Sequence, residues 1–255
     1  MITVQNLYCG YFEQPVLKDI SLSIGREEFC ALLGPNGAGK STLLYALMGY
    51  LKPLSGSIMI LNKDLFSYRR AALARMLAFV PQESKQDFDH SVYETVLMGR
   101  YPYLGIMRAH SEEDRKVVDK VLEMLNLGSL RQRWLSELSG GEKQRVYIAR
   151  ALVQETPCIM LDESLSQLDI NHQIEIMNLL KSISRNQHKT ILIVSHNLNL
   201  AANHADKLFF LKSGSLLSQG KPEAMMQSEQ LSKLFGVKLH TQLNPHSGRP
   251  NIIYP

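Results

Sequence analysis

Gly34-Pro35-Asn36-Gly37-Ala38-Gly39-Lys40-Ser41 decides the reading of this chain. It fits the phosphate-loop pattern G-x-x-x-x-G-K-[ST] at every fixed position. An apolar run ahead of it, Phe29-Cys30-Ala31-Leu32-Leu33, predicts a buried strand that delivers the chain to the loop. Gly34, Gly37 and Gly39 are expected to open turns closed to other residues, so that several N–H groups point at one anion. Lys40 offers a point charge to β- and γ-phosphates, and the Ser41 hydroxyl can ligate Mg²⁺. Leu43, Leu44, Leu47 and Met48 then predict a helix whose N-terminus faces the phosphates.

Working outward, residues 1–34 read as β-rich, with period-two alternation in Ile2–Val4 and Ile20–Ile24. Short strands are expected at Ser57–Ile60 and at Leu77–Val80, the latter stopped by Pro81. Helical patterns then take over, over Val92–Gly99 and Glu112–Asn126, which places an inserted helical subdomain at about 83–150. Beyond Ser139, a helix over Lys143–Leu152 and strands over Pro157–Leu161 and Lys189–Val194 restore an alternating pattern. Such alternation predicts an α/β fold, a parallel sheet covered by helices. Ser213-Gly214 reads as a hairpin turn, and 237–255 as a polar tail with short strands.

Two further segments carry chemistry. Cys158-Ile159-Met160-Leu161-Asp162-Glu163 is an apolar strand ending in two acids. Beside a phosphate loop, such an Asp holds Mg²⁺, and the following carboxylate is placed to polarise an attacking water. Leu138-Ser139-Gly140-Gly141-Glu142 puts glycines and a hydroxyl at another helix N-terminus, a second anion site. One nucleotide has one γ-phosphate, so two such helix ends are best used when two copies meet head-to-tail.

With these motifs in this order, the chain resembles the nucleotide-binding subunits of ABC transporters over nearly its whole length. The resemblance implies a P-loop NTPase fold: a RecA-like parallel-sheet core, an antiparallel β subdomain and an inserted α-helical subdomain, together spanning 1–236. It implies hydrolysis of ATP with Mg²⁺. Gly34, Pro35, Asn36, Gly37, Ala38, Gly39, Lys40, Ser41 and Thr42 would hold the phosphates, and Tyr11 would stack on adenine. Gln82 resembles the family's Q-loop glutamine, Ser166-Gln167-Leu168-Asp169 its D-loop and His196 its switch histidine. Ser41, Gln82 and Asp162 would ligate the metal, and Glu163, His196, Lys40 and Gln82 would be catalytic. Ser139, Gly140, Gly141 and Glu142 resemble the signature motif, with Glu in place of the commoner Gln, and would serve the partner copy's ATP. One departure stands out: Ser164-Leu165 replaces the family's Pro-Thr after the two acids, and Gln167 a small residue. That places the turnover rate and the packing of the D-loop in question, without removing a catalytic group.

Leu97-Met98-Gly99-Arg100-Tyr101-Pro102-Tyr103 and the ending Pro245–Pro255 resemble the ATPases that serve iron-siderophore, haem and cobalamin importers. That implies a homodimer bound to permease subunits, and indirectly to a periplasmic or surface substrate-binding protein. An exporter subunit, a soluble ABC ATPase and a non-hydrolysing nucleotide switch remain open alternatives.

Composition bounds these readings. At 255 residues and net charge +4, without a Lys/Arg block, no nucleic-acid partner is expected. Cys9, Cys30 and Cys158 lack metal-ligand spacing and read as buried thiols of a reducing compartment. No apolar run nears the ~20 residues that span a bilayer, and the N-terminus turns polar too early for a signal peptide. The expected location is the cytoplasmic face of the inner membrane, held there through the permease.

Overall fold

A computed structural model describes residues 1–82, 89–104, 109–165 and 168–253. The first half contains β1 (Ile2–Tyr11), β2 (Gln14–Ile24), β3 (Phe29–Leu33), α1 (Lys40–Leu47), β4 (Ser55–Ile60), β5 (Lys63–Asp64), α2 (Arg70–Leu73), β6 (Leu77–Val80), α3 (Val92–Leu97) and α4 (Glu112–Met124). There follow α5 (Gly140–Leu152), β7 (Cys158–Leu161), α6 (Ile170–Asn186), β8 (Thr190–Val194), α7 (Leu198–His204) and β9 (Lys207–Lys212). The chain closes with β10 (Ser215–Gly220), α8 (Pro222–Met225), α9 (Ser228–Phe235), β11 (His240–Leu243) and β12 (Pro250–Ile253). Two units divide it, Met1–Tyr68 with Met177–Pro255, and Arg69–Ile176.

In the first unit β1 pairs antiparallel with β2 and β4, and β4 with β5. This is the expected antiparallel β subdomain. Beside it β3 runs parallel to both β8 and β9, and β9 turns back into β10. All five residues of β3 and of β8 are buried, which is why both read as continuous apolar runs rather than alternating ones. The turn after β9 braces the phosphate loop: Gly214 N donates to Ala38 O at 3.0 Å, and Lys18 N on β2 donates to Gly214 O at 2.8 Å. Gly214 has φ +81°, and a Cβ there would stand 1.9 Å from Val16 O, so the position requires glycine.

In the second unit β6 and β7 pair in parallel, and α3 and α4 lie in the helical stretch. Ser91 and Ser111 start those two helices with capping boxes closed by Glu94 and Asp114. The helix expected over Val92–Gly99 ends at Leu97 and tightens into a 3₁₀ segment, Met98–Tyr103, that contains Pro102. A proline there lacks the N–H that a continuing α-helix would use. Arg100 in this segment is buried; it donates to Asp114 at 2.8 Å, to Val153 O at 2.7 Å and to Glu155 at 2.6 Å. Its guanidinium also lies 4.1 Å from the Tyr103 ring centre. All three cysteines are buried and free, and burial pushes the Cys158 thiol up to about 12.

Candidate active site

In the first unit, β3 ends where the glycine-rich loop begins, and α1 starts at Lys40. Gly37 and Gly39 take φ +74° and +100°, the left-handed turns expected of them. Gly34 differs: its φ is not positive, and a Cβ there would stand 2.1 Å from Leu211 O on β9. Close approach of a neighbouring strand, not turn geometry, fixes that residue. Lys40 is buried, and its Nζ donates to Gly34 O at 3.0 Å and Pro35 O at 3.1 Å. The loop therefore wraps its own ammonium. No side chain caps α1, so its N-terminal end is left to the backbone amides that follow Gly39. A buried cation, an uncapped helix start and the hydroxyls of Ser41 and Thr42 form a donor set that fits a magnesium-bound triphosphate.

His196 follows β8, is exposed, and lines a cleft of about 250 Å³ with Gly34, Pro35, Asn36, Ser195 and Phe235. The phosphate loop and His196 thus face one space. Tyr11 ends β1 at the hairpin turn and is 42% exposed, open to a stacking partner.

In the second unit, Gln82 follows β6 and is exposed, while Asp162 follows β7 and is buried. The Asp162 N–H donates to Val80 O at 3.0 Å, which continues the β6–β7 pairing up to the acids. Glu163 has φ +39°, left-handed backbone in a non-glycine residue. A residue ahead of proline is pushed towards extended backbone. Ser164 at the family's proline position releases Glu163 from that restriction. Ser164 Oγ is buried with no hydrogen-bond partner among the described residues.

Ser139 caps α5, with Ser139 and Gly140 exposed and Gly141 buried. The Glu142 carboxylate accepts from Ser139 N at 2.8 Å and from Ser139 Oγ at 2.7 Å. These bonds, the hydroxyl's first, hold its carboxyl below the usual range. Glu142 completes a capping box at the start of α5, a role open to either Glu or Gln. His172, which sequence reasoning passed over, packs on Gly141: a Cβ there would meet its ring at 2.7 Å. Asp169 holds that ring, with both carboxylate oxygens 2.9 Å from Nδ1. Ser166 and Gln167 of the D-loop lie outside the described residues, as do Tyr254 and Pro255 of the ending.

Comparison with known proteins identifies the family. The sequence profile of the family described as ABC transporter matches residues 17–166. The chain is 34% identical over 249 residues to the achromobactin transport ATP-binding protein of Dickeya dadantii, covering 98% of this chain and 93% of that one. It is 38% identical over 253 residues to the hemin import ATP-binding protein of Enterobacter cloacae, covering 97% and 95%. Among solved structures, it matches a dimeric ATP-binding cassette in a post-hydrolysis state with ADP and Pi. The TM-score is 0.73 at 30% identity, covering 87% of this chain and 98% of that one.

Proposed function

The chain belongs to the ABC transporter family as an ATP-hydrolysing subunit, and from that premise we propose that it drives import of an iron chelate, haem or cobalamin. One observation carries this reading: near full-length similarity to relatives named for achromobactin transport and hemin import. No helix among the described residues is long and apolar enough to cross a membrane. In the proposed assembly two copies lie head-to-tail at the cytoplasmic face of the membrane. A separate permease carries the cargo, delivered to it by a substrate-binding protein.

Each copy spends its residues as follows. Lys40 and the amides of Gly37, Gly39 and Ser41 bind the phosphates, with Gly34, Pro35, Asn36, Ala38 and Thr42 shaping the loop. Tyr11 stacks on adenine. Ser41, Gln82 and Asp162 would hold Mg²⁺, which would supply positive charge to the phosphates. Glu163 accepts the proton of the attacking water, and His196 hydrogen-bonds the oxygens whose charge grows as the bond breaks. Ser139, Gly140, Gly141 and Glu142 close over the ATP of the other copy. Binding of ATP would bring the copies together, and hydrolysis would release them. The helical subdomain around Gln82–Tyr103 would hold the permease and pass that movement to it. Residues 1–236 form the nucleotide-binding domain and 237–255 a tail.

The test is a pull-down of tagged Glu163→Gln protein with MgATP from detergent-solubilised membranes, read by mass spectrometry. A permease with about ten spans is the expected partner. A six-span partner would turn the reading to export, and recovery of soluble partners alone would refute it.

A further inference from the structure

We propose that the hairpin of β11 and β12 is a strap that positions His196, with Arg249 as its fastening residue. The inference rests on the role proposed for His196 in hydrolysis.

The backbone of His196 is held on both sides. Ser195 N donates to Leu32 O on β3 at 3.2 Å. Asn197 N donates to Ser195 Oγ at 3.1 Å, and Asn197 Oδ1 caps α7 by accepting from Leu200 N at 3.0 Å. The histidine therefore lies between Ser195, fixed to the sheet, and the capped start of α7, and the helix sets its downstream side. At seven residues, α7 has no stability of its own and depends on what packs around it. Leu198, Leu200, Ala201, Ala202 and His204 are its buried residues, and His204 Nε2 lies 3.1 Å from Asn178 Oδ1 on α6.

Asn199 and Asn203 stand four residues apart, one above the other on the helix, and both reach β12. The Asn199 amide behaves like an added strand residue: Nδ2 donates to Ile252 O at 3.1 Å and Oδ1 accepts from Ile252 N at 2.7 Å. Asn203 Nδ2 donates to Asn251 Oδ1 at 2.7 Å. Arg249 closes the arrangement: its Nη1 donates to Ala202 O at 2.9 Å and to Ala205 O at 2.8 Å. Those carbonyls belong to the unsatisfied, negative end of the helix, where a cation is most favourable. Pro250 and Ile252 are buried, and Asn244 N donates to Arg249 O at 2.8 Å to close the turn. Just ahead of the tail, Phe235, the last residue of α9, lines the cleft with His196.

Water serves helix ends of this kind at little cost. A guanidinium across two carbonyls and an amide paired with a strand fix direction as well as energy. The strap sets the angle of α7, and with it the approach of the imidazole to the cleft. Misplacement of a reacting group by about 1 Å costs on the order of a hundredfold in rate, so a partial shift of α7 registers in turnover before it registers in binding.

The experiment uses the full chain, well below its melting temperature. Arg249→Ala is expected to lower kcat about tenfold and to leave KM for ATP within about twofold, because Lys40 and its loop are untouched. The His196 ring resonances, followed by NMR in histidine-labelled protein, should shift and broaden. Arg249→Lys should restore part of the rate. Should Arg249→Ala not fold, Asn199→Ala/Asn203→Ala loosens the same strap with the guanidinium retained, and the same changes are expected. Wild-type kcat in these variants, or a fall in kcat with unmoved His196 resonances, overturns the strap. His196→Ala separates premise from inference. Wild-type turnover there removes the histidine's role and the strap with it. Slow turnover in His196→Ala beside wild-type turnover in Arg249→Ala overturns the strap alone.

Discussion

Replacing Arg100 with Met removes the cation that organises the second unit while keeping much of its volume. The side chains of Arg100 and Asp114 are 6% and 9% exposed, so Asp114 would be left as a buried carboxylate without a counter-charge. Breaking a buried pair from one side costs about 3–5 kcal/mol. The acid's own titration gives an independent handle. Burial pushes the Asp114 carboxyl up, but the Arg100 hydrogen bond and those from the Ser111 amide and hydroxyl outweigh it and bring it to about 2, from 3.8. That difference corresponds to about 2 kcal/mol of stability at neutral pH. Because the folded-state value is depressed, the contribution is complete above the unfolded value and is lost as pH falls towards 2. About 1 kcal/mol of it is gone by pH 3. Urea unfolding followed at Trp134, the only tryptophan and a residue of the same unit, reads the change directly. Arg100→Met is expected to lose about 3–5 kcal/mol at pH 7, and the gap from wild type should narrow at pH 3. A loss under about 1 kcal/mol, the size of an exposed pair, or a gap that does not change with pH, would refute the reasoning.

Three further outcomes are expected. Glu163→Gln should bind ATP and dimerise, yet hydrolyse it about 10²–10⁴-fold more slowly; a phosphate-release assay at the wild-type rate would sink the role given to Glu163. Lys40→Ala should lose nucleotide binding in equilibrium dialysis, and unaltered affinity would refute the loop assignment. Gly34→Ala should cost about 3 kcal/mol by overpacking against Leu211 O, whereas Gly37→Ala should cost only about 1–2 kcal/mol of left-handed strain, since a Cβ there meets nothing within 4 Å. Equal melting temperatures for the two would contradict the distinction drawn between those glycines.

The phosphate loop, its strand and its helix were legible because their residue types are dictated locally. β1 was legible only in part, for a physical reason. Its buried positions run Ile2, Val4, then Leu7 and Cys9, changing parity at an irregularity where Asn6 has φ +45°. Its turn to β2 uses Phe12 and Glu13 at φ +50° and +63°, without the Gly or Asn that signals a hairpin. The short α7 offers too few turns for periodicity to register. Arg100 could be singled out by resemblance, but its partners Asp114 and Glu155 lie 14 and 55 residues away, beyond any local pattern. The contact of His172 with Gly141 and the clamp of Arg249 on α7 are likewise products of tertiary packing. Glu163 was legible as an acid at a strand end, and its left-handed backbone was not.

The ammonium of Lys40, already clasped by two carbonyls of its own loop, has a kinetic consequence. In the role proposed for it, such a loop exchanges carbonyl contacts for phosphate oxygens in place, with little backbone left to order. Capture then proceeds at the frequency of encounter, slowed by ionic strength as for any anion drawn to a fixed charge. Residence time, not arrival, is left to tell a triphosphate from a diphosphate. On the role proposed for Lys40, the tempo of the cycle is then expected to follow what the loop holds on to rather than how fast it fills.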